Sequence, residues 1–224
     1  LSRFPLTLEL AIFATLIGVG IGIPVGILSA TRRGSPLDMG SRTFALLGMA
    51  APSFFVGTLF IYGLSVYVGI LPNAGRYVSF LDDPLKNLQQ MIFPALTLGI
   101  AFAASVMRTT RSAMLEQIHS DYVRTARSKG LSEPAIVRGH LLRNALIPII
   151  TLVGFEAGYL FGGAVIVEDV FALPGLGRLL LSAISQRDYA LVQGTVIFIA
   201  FNFVLVNLLA DIAYTFANPR IRYE

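Results

Sequence analysis

Apolar residues in this chain gather into long runs that are separated by short polar segments. Five runs have about the 20 residues that a helix rising 1.5 Å per residue needs to cross about 30 Å of hydrocarbon. They cover residues 6–30, 43–68, 91–107, 145–167 and 192–216, and the third is the shortest. Strands of a membrane β-barrel would instead alternate over about ten residues. The pattern predicts an all-α integral membrane protein that forms a single domain over residues 1–224.

Composition supports a membrane bundle and disfavours several kinds of chemistry. Apolar residues make up 55% of the chain and charged residues 13%, against roughly 45–50% and 25% in soluble domains. The chain has no Cys and two His, so disulfides, thiol nucleophiles and a His cluster are not expected. Its acidic residues are dispersed, and no catalytic constellation is recognisable. We therefore predict that this chain is not an enzyme and holds no metal.

Basic residues are distributed unevenly among the segments between the apolar runs. Three lie between the first two runs, seven between the third and fourth, and two after the fifth, of 17 in all. Because Lys and Arg are retained on the cytoplasmic side, the 108–144 loop and the C-terminus are predicted to be cytoplasmic. The N-terminus would then lie outside, so we expect one further helix upstream and six in the parent protein. The basic charge follows this alternation, and no nucleic-acid partner is expected.

The cytoplasmic loop predicts two helices joined by a sharp turn. Gly130 suits the left-handed position after a helix that ends near Ser128 or Lys129. Ser132 can cap the next helix, which has Glu133 in its first turn. Apolar residues at helical spacing are expected to share one face, namely Met114, Leu115, Ile118 and Tyr122. Such an element could present a rigid knob to a partner, although any cytosolic loop of this length can form amphipathic surface helices.

The loop resembles one family closely. Residues 121–133, Asp-Tyr-Val-Arg-Thr-Ala-Arg-Ser-Lys-Gly-Leu-Ser-Glu, and residues 140–148, His-Leu-Leu-Arg-Asn-Ala-Leu-Ile-Pro, are similar to the dipeptide, oligopeptide and nickel permeases of ABC importers. Further similar blocks cover residues 5–10, 22–27, 162–168, 170–177, 187–189 and 218–223. The general EAA loop motif of ABC importer permeases fits less well, because only Ala126, Gly130 and Leu142 match it.

This resemblance implies an ABC importer transmembrane-domain fold and a set of partners. These are a second related permease subunit, two cytoplasmic ATPase subunits that bind ATP and Mg²⁺, and an extracytoplasmic solute-binding protein. This chain would bind no cofactor itself, since neither Lys86 nor Lys129 lies in a G-x-x-x-x-G-K-[ST] pattern. The residues expected to couple it to the ATPase are Asp121, Tyr122, Arg124, Thr125, Ala126, Arg127, Gly130 and Leu131.

Polar residues within the apolar runs are candidates for the transport pathway. A carboxylate near the middle of a span is costly, so Glu156 either faces the pathway or is protonated and hydrogen-bonded to a neighbouring helix. Asn202 is a second candidate, although amides also bridge helices structurally. At the outer face we expect a tight turn or re-entrant segment that contains Glu168, Pro174, Gly175 and Gly177. This segment could seal the pathway or meet the binding protein.

Two glycine ridges are predicted to pack helices closely. Gly18, Gly22 and Gly26 recur every four residues, as do Gly154, Gly158 and Gly162, and small residues at this spacing let helix backbones approach. Pro24, Pro52 and Pro94 are expected to bend the helices that contain them.

Three function classes follow from these observations. The first is the permease subunit of an ATP-driven importer in a bacterial or archaeal cytoplasmic membrane, forming half of the pathway for di- or oligopeptides. Within that class, a nickel chelate or glutathione is the alternative substrate. The second class is an ATPase-independent secondary transporter or channel, which the sparse intramembrane charges and the lack of an inverted repeat disfavour. The third is a membrane enzyme, which the missing catalytic cluster disfavours.

Overall fold

The computed structural model describes residues 2–69 and 77–217, with side chains as far as residue 212. This part of the chain contains nine α-helices and no strand, which confirms the all-α prediction. They are α1 (Phe4–Thr31), α2 (Pro36–Ala50), α3 (Ser53–Gly63), α4 (Pro84–Ile118), α5 (Asp121–Ser128), α6 (Glu133–Ile136), α7 (Leu142–Val170), α8 (Leu176–Ser185) and α9 (Tyr189–Ala217). Two π-helical stretches also occur: Leu64–Val68 extends α3, and Val137–Leu141 joins α6 to α7.

Four helical segments of the described chain are long and apolar enough to cross a membrane. They are α1, α4, α9 and the continuous stretch from α6 through α7, and the bent pair of α2 and α3 makes a fifth span if it is counted as one. The expectation that the third run gives the shortest span was wrong, because α4 has 35 residues. The Asp83 side chain caps the first turn of α4, accepting from the Lys86 N–H at 3.2 Å. The last turns of α4 are polar but contain the buried Met114.

The predicted second span is broken between residues 50 and 53. Its two helices, α2 and α3 with the π-helical extension, meet at 103°. The cause is Pro52, which lacks an N–H group and forces the preceding residue out of the helical region; Ala51 is extended, with φ −76° and ψ 123°. The bend predicted at Pro52 is therefore confirmed, and the continuous helix predicted over 43–68 was wrong.

The first glycine ridge packs α1 against α4, as predicted. A Cβ atom on these glycines would lie 2.6–2.7 Å from side-chain atoms of α4, which is closer than real Cβ contacts allow; the pairs are Gly18 with Phe102, Gly22 with Val106, and Gly26 with Thr110. The second ridge is confirmed for Gly154 and Gly158, which meet α9 in the same way. It was wrong for Gly162, where a Cβ would meet nothing within 4 Å.

The two larger of three hydrophobic cores hold most of the described bundle together. The larger core lies among α1, α4 and α7 and continues to the segment that precedes α8. The second core surrounds the short helices α5 and α6 and joins them to the ends of α1, α4 and α7; its buried members are Ala30, Ala113, Met114, Val123, Ala126, Ile136, Leu141, Ala145 and Ile149. Because α5 shares this core with three long helices, it is fixed to them and is not a loose surface segment.

Candidate functional site

The turn after α5 has the geometry predicted for it. Gly130 has φ +78°, in the left-handed region that favours glycine. The Leu131 N–H donates to the Ala126 carbonyl at 3.3 Å, and the Gly130 N–H donates to the Arg127 carbonyl at 2.9 Å, which is the pair of bonds that defines a Schellman motif. Ser132 occupies the N-cap position of α6, but its side chain makes no capping hydrogen bond.

One face of α5 is buried and the other is open. Val123 and Ala126 are 0% and 5% exposed and belong to the second core. The other residues predicted to couple to a partner are exposed: Asp121, Tyr122, Arg124, Thr125, Arg127, Gly130 and Leu131. Ala126 thus differs from the other predicted coupling residues, since its side chain fastens the helix to the bundle and leaves its neighbours to face outward.

An ion pair braces the two arms of the turn. The Arg127 Nε donates to Glu133 Oε1 at 2.7 Å, and its Nη2 donates to Oε2 at 3.3 Å. Tyr122 was expected to share one face with Met114, but Met114 is buried, whereas the Tyr122 ring is exposed and its hydroxyl donates to Gln117 at 2.9 Å. The exposed face of the turn therefore combines cationic, aromatic and apolar groups on a rigid support.

Glu156 lines a cavity of about 390 Å³ between α4, α7 and the break between α2 and α3. Its Oε1 accepts a hydrogen bond from Ser105 Oγ of α4 at 2.9 Å. The polar groups of the wall also include Ser53 and Tyr159, and its apolar part includes Leu98, Phe102, Leu160 and Ile166. Glu156 is half-buried, so its carboxylate meets both a neighbouring helix and the open space of the cavity.

Asn202 does not line this cavity. It is 6% exposed, and its Nδ2 donates to the Phe198 carbonyl of its own helix at 2.7 Å. The two candidate pathway residues are therefore not brought together in this conformation.

Glu168 lies within the last turn of α7 and is fully buried, so the expectation that it belongs to a tight turn or re-entrant segment at the outer face was wrong for this residue. Its carboxylate accepts from Thr7 Oγ1 at 2.6 Å, from the Gly177 N–H at 2.7 Å and from the Arg178 N–H at 3.2 Å. Thr7 Oγ1 in turn accepts from the Leu176 N–H at 3.0 Å. These bonds satisfy the free N–H groups at the start of α8, and Glu168 therefore anchors that helix.

The glycines of this segment make room for the buried carboxylate. A Cβ at Gly175 would lie 2.2 Å from the carboxylate of Glu168, and a Cβ at Gly177 would lie 2.3 Å from the backbone of Val165. The turn itself lies between Phe171 and Gly175 and includes Pro174. The predicted tight turn is thus present, but only over residues 171–175, between the end of α7 and the start of the short apolar helix α8.

A second buried acid was missed in the sequence. Asp38, on α2, is 2% exposed and accepts from Arg111 Nε at 2.7 Å, from Ser29 Oγ at 2.6 Å and from the Gly34 N–H at 3.0 Å. This network joins α1, α2 and α4 on the side of the bundle that carries α5. Its signal in the sequence is weak, since Asp38 stands four residues after Gly34 at a helix start and its charged partner is 73 positions away.

A bundle of apolar helices that carries a largely apolar cavity with one carboxylate, and a rigid exposed turn beyond its helix ends, has the architecture of a membrane transport subunit. Residues 22–223 match the family described as binding-protein-dependent transport system inner membrane component. This chain belongs to that family.

Relatives in the family match the whole chain. A Brucella suis protein, provisionally named a peptide transport system permease protein, is 47% identical over 223 residues, which are 100% of this chain and 71% of the relative. The dipeptide transport system permease protein DppB of Escherichia coli is 41% identical over 99% of this chain and 72% of its own length. The di/tripeptide transport system permease protein DppB of Pseudomonas aeruginosa is 42% identical over 100% and 72%.

Solved structures show the same fold. A chain of the MetNI methionine ABC transporter in an inward-facing conformation superposes with a TM-score of 0.72 at 20% identity, over 95% of this chain and 93% of that one. A chain of an amino acid ABC transporter gives 0.70 at 19% identity, over 98% and 92%. The predicted ABC importer transmembrane fold is therefore confirmed, and the chain is a membrane-embedded permease subunit.

Proposed function

We propose that this chain forms half of the translocation pathway of an ATP-driven peptide importer and that α5 with its following turn docks on a cytoplasmic ATPase subunit. The observation that carries the proposal is the second core. It fixes α5 to α4 and α7 through buried apolar contacts, while the opposite face of α5 is open to a partner. A displacement of α5 by ATPase closure would therefore move both long helices.

The charge distribution supports the orientation of this arrangement. Seven basic residues lie between residues 108 and 144, and by the positive-inside rule this supports a cytoplasmic position for α5. The same orientation puts α8 and Glu168 at the outer end of the bundle, towards a solute-binding protein. ATP and Mg²⁺ belong to the ATPase subunits, because this sequence lacks the phosphate-binding pattern.

The substrate class rests on the relatives. Two of the proteins reported above are named for dipeptides or for di- and tripeptides, and we extend that class to this chain. A nickel chelate or glutathione is the alternative within the family. Competition for uptake by dipeptides, glutathione and chelated nickel would distinguish these substrates.

The first experiment identifies the partners. The full-length parent is purified in mild detergent from its native membrane, and the co-purifying proteins are identified by mass spectrometry. We expect an ATPase with a phosphate-binding loop, a second permease and a solute-binding protein. A homo-oligomer without an ATPase would contradict the proposal and favour a secondary transporter or channel.

The second experiment tests the docking turn with a matched pair of substitutions. Gly130→Val forces a β-branched residue to positive φ, whereas Gly139→Val adds the same side chain to a helical glycine; at both positions a Cβ would meet open space. We expect Gly130→Val to lower ATPase co-purification and ATP-driven peptide uptake about tenfold, since a left-handed conformation costs a non-glycine residue roughly 1–2 kcal/mol or more. Equal losses in the two variants, or none in Gly130→Val, would contradict a specific role for this turn.

A further inference from the structure

The cavity beside the broken span has an unbalanced charge. Among the residues that the structure describes, its lining contains one carboxylate, that of Glu156, together with hydroxyl groups and apolar side chains, and no Lys, Arg or His. The volume of about 390 Å³ lies within the range of small-molecule sites in proteins. A cavity of this kind attracts a cation that carries an apolar body.

Glu156 is held in position but not neutralised by the described part of the chain. Ser105, which is 7% exposed, donates one hydrogen bond to Oε1 from the facing helix. No ion pair to Glu156 occurs among the residues whose side chains are described, since the pairs found there involve Asp38, Asp83, Asp121 and Glu133. The carboxylate therefore keeps acceptor capacity on the side that faces the cavity.

The surroundings of Glu156 favour an ammonium group over a metal ion. Hard divalent cations require about six or more oxygen ligands, and no group of three or more His, Asp or Glu occurs in the described chain. An alkylammonium group needs only a few acceptors and can stack against an aromatic ring. Tyr159, one turn after Glu156, is exposed to the same cavity, and the apolar wall beyond it can receive a hydrocarbon side chain.

We propose that Glu156 binds the N-terminal ammonium group of a peptide during its passage, with Ser105 as the residue that positions the carboxylate. This inference rests on the proposed function, because it assumes that peptides enter the pathway. It goes further in making the chain itself selective for a free amino terminus, independently of any solute-binding protein.

Residues 1–224 contain no Cys, so a single Cys introduced into this part of the chain gives a direct test. Ala101, which lines the cavity, is replaced by Cys in the full-length permease complex, and labelling of this residue is followed by mass spectrometry. Two reagents are used, cationic aminoethyl methanethiosulfonate and anionic sulfonatoethyl methanethiosulfonate. For each reagent, the labelling rate at this Cys is divided by the rate at which the same reagent labels a free thiol in solution. These ratios are measured with Glu156 intact, in Glu156→Gln, and in the control Asp82→Asn, which removes a charge from an exposed residue outside the cavity.

We expect the cationic reagent to be favoured about tenfold with Glu156 intact, since a low-dielectric cleft of one charge raises the rate for the opposite charge by a factor of ten or more. Glu156→Gln should abolish this preference, and Asp82→Asn should preserve it. An excess of a free-amine dipeptide should slow labelling in the intact complex, whereas its N-acetylated form should not. In Glu156→Gln the two peptides should act alike.

Two results would overturn the inference. One is the absence of a cationic preference with Glu156 intact, which would mean that this residue is neutral and serves only to bond α4. The other is equal protection by the free and acetylated peptides. ATP-driven uptake of a dipeptide by the unmodified complex is measured in parallel. Failure of uptake together with a Glu156-dependent cationic preference would reject the peptide importer while keeping the cation site, so the two failures are distinguishable.

Discussion

The anchor of α8 offers the sharpest test of how this bundle is held together. Thr7→Val keeps the shape of the side chain but removes the hydroxyl that donates to Glu168 and accepts from the Leu176 N–H. All of this takes place in the interior, since Thr7 and Glu168 are both 0% exposed. The matched control is Thr15→Val on the same helix, where the hydroxyl donates only to the Ala11 carbonyl one turn earlier.

The expected cost has two parts. A buried N–H group without a partner costs about 1–3 kcal/mol, and a hydrogen bond to a charged group contributes about 1.5–3 kcal/mol. Glu168 retains the two backbone donors at Gly177 and Arg178, so part of the second term is recovered. We therefore expect Thr7→Val to destabilise the packing of α8 against α1 and α7 by about 2–4 kcal/mol. Thr15→Val should have little effect, because the Ala11 carbonyl keeps its helical hydrogen bond.

Hydrogen exchange with mass spectrometry measures this locally. Amides that exchange through local opening report the free energy of that opening, and 2 kcal/mol corresponds to roughly a 30-fold faster exchange. The acceleration should be confined to peptides that contain residues 176–185 in the purified complex. If Thr7→Val and Thr15→Val accelerate exchange there to the same extent, the hydrogen bonds to Glu168 do not hold α8 and the reasoning is refuted.

Two further predictions use the same kind of matched pair and are read from the thermal unfolding midpoint of the purified complex. Gly22→Ala should destabilise it by about 1–3 kcal/mol, as overpacking does, because the new Cβ would lie 2.7 Å from Val106; Gly20→Ala should not, since its Cβ meets nothing within 4 Å. Asp38→Asn should cost about 3 kcal/mol by leaving a buried cation unpaired. Asp121→Asn, which removes one partner of an exposed ion pair 3.6 Å apart, should change the midpoint little. Equal shifts in Gly22→Ala and Gly20→Ala would contradict the packing argument, and equal shifts in Asp38→Asn and Asp121→Asn would contradict the ion-pair argument.

Features of the site that depend on neighbours in sequence were predictable. The turn at Gly130 could be assigned because one glycine between two helical patterns identifies the left-handed position, and the break at Pro52 follows from the missing N–H group. The glycine ridge on α1 was equally accessible, since four-residue spacing places small residues on one face. Each of these assignments needs no knowledge of a distant part of the chain.

Features that join distant elements were not predictable from local pattern. Glu168 stands next to turn residues and was therefore assigned to the outer turn or re-entrant segment, but its partner Thr7 lies 161 positions earlier. In the sequence, Arg111 is one of seven basic residues between residues 108 and 144. In the structure, much of its side chain is buried against Asp38. In both cases, hydrogen bonds from other helices stabilise a buried polar side chain, and hydrophobic periodicity does not predict such a partner.

The hydrogen bond between Ser105 and Glu156 links the proposed docking helix α5 to the proposed ammonium site. α4 and α7 both extend from the second core around α5 to the cavity that contains Glu156, and Ser105 joins them there at 2.9 Å. α1 is expected to move with α4, because separating the two helices would break contacts along the whole glycine ridge. A displacement of α5 that shears α4 against α7 would therefore lengthen the Ser105–Glu156 bond and alter how the carboxylate faces the cavity. If α5 docks on an ATPase subunit and Glu156 binds an ammonium group as proposed, ATPase closure should be coupled to the affinity for that group, and Ser105→Ala should weaken the coupling while leaving the charge in place.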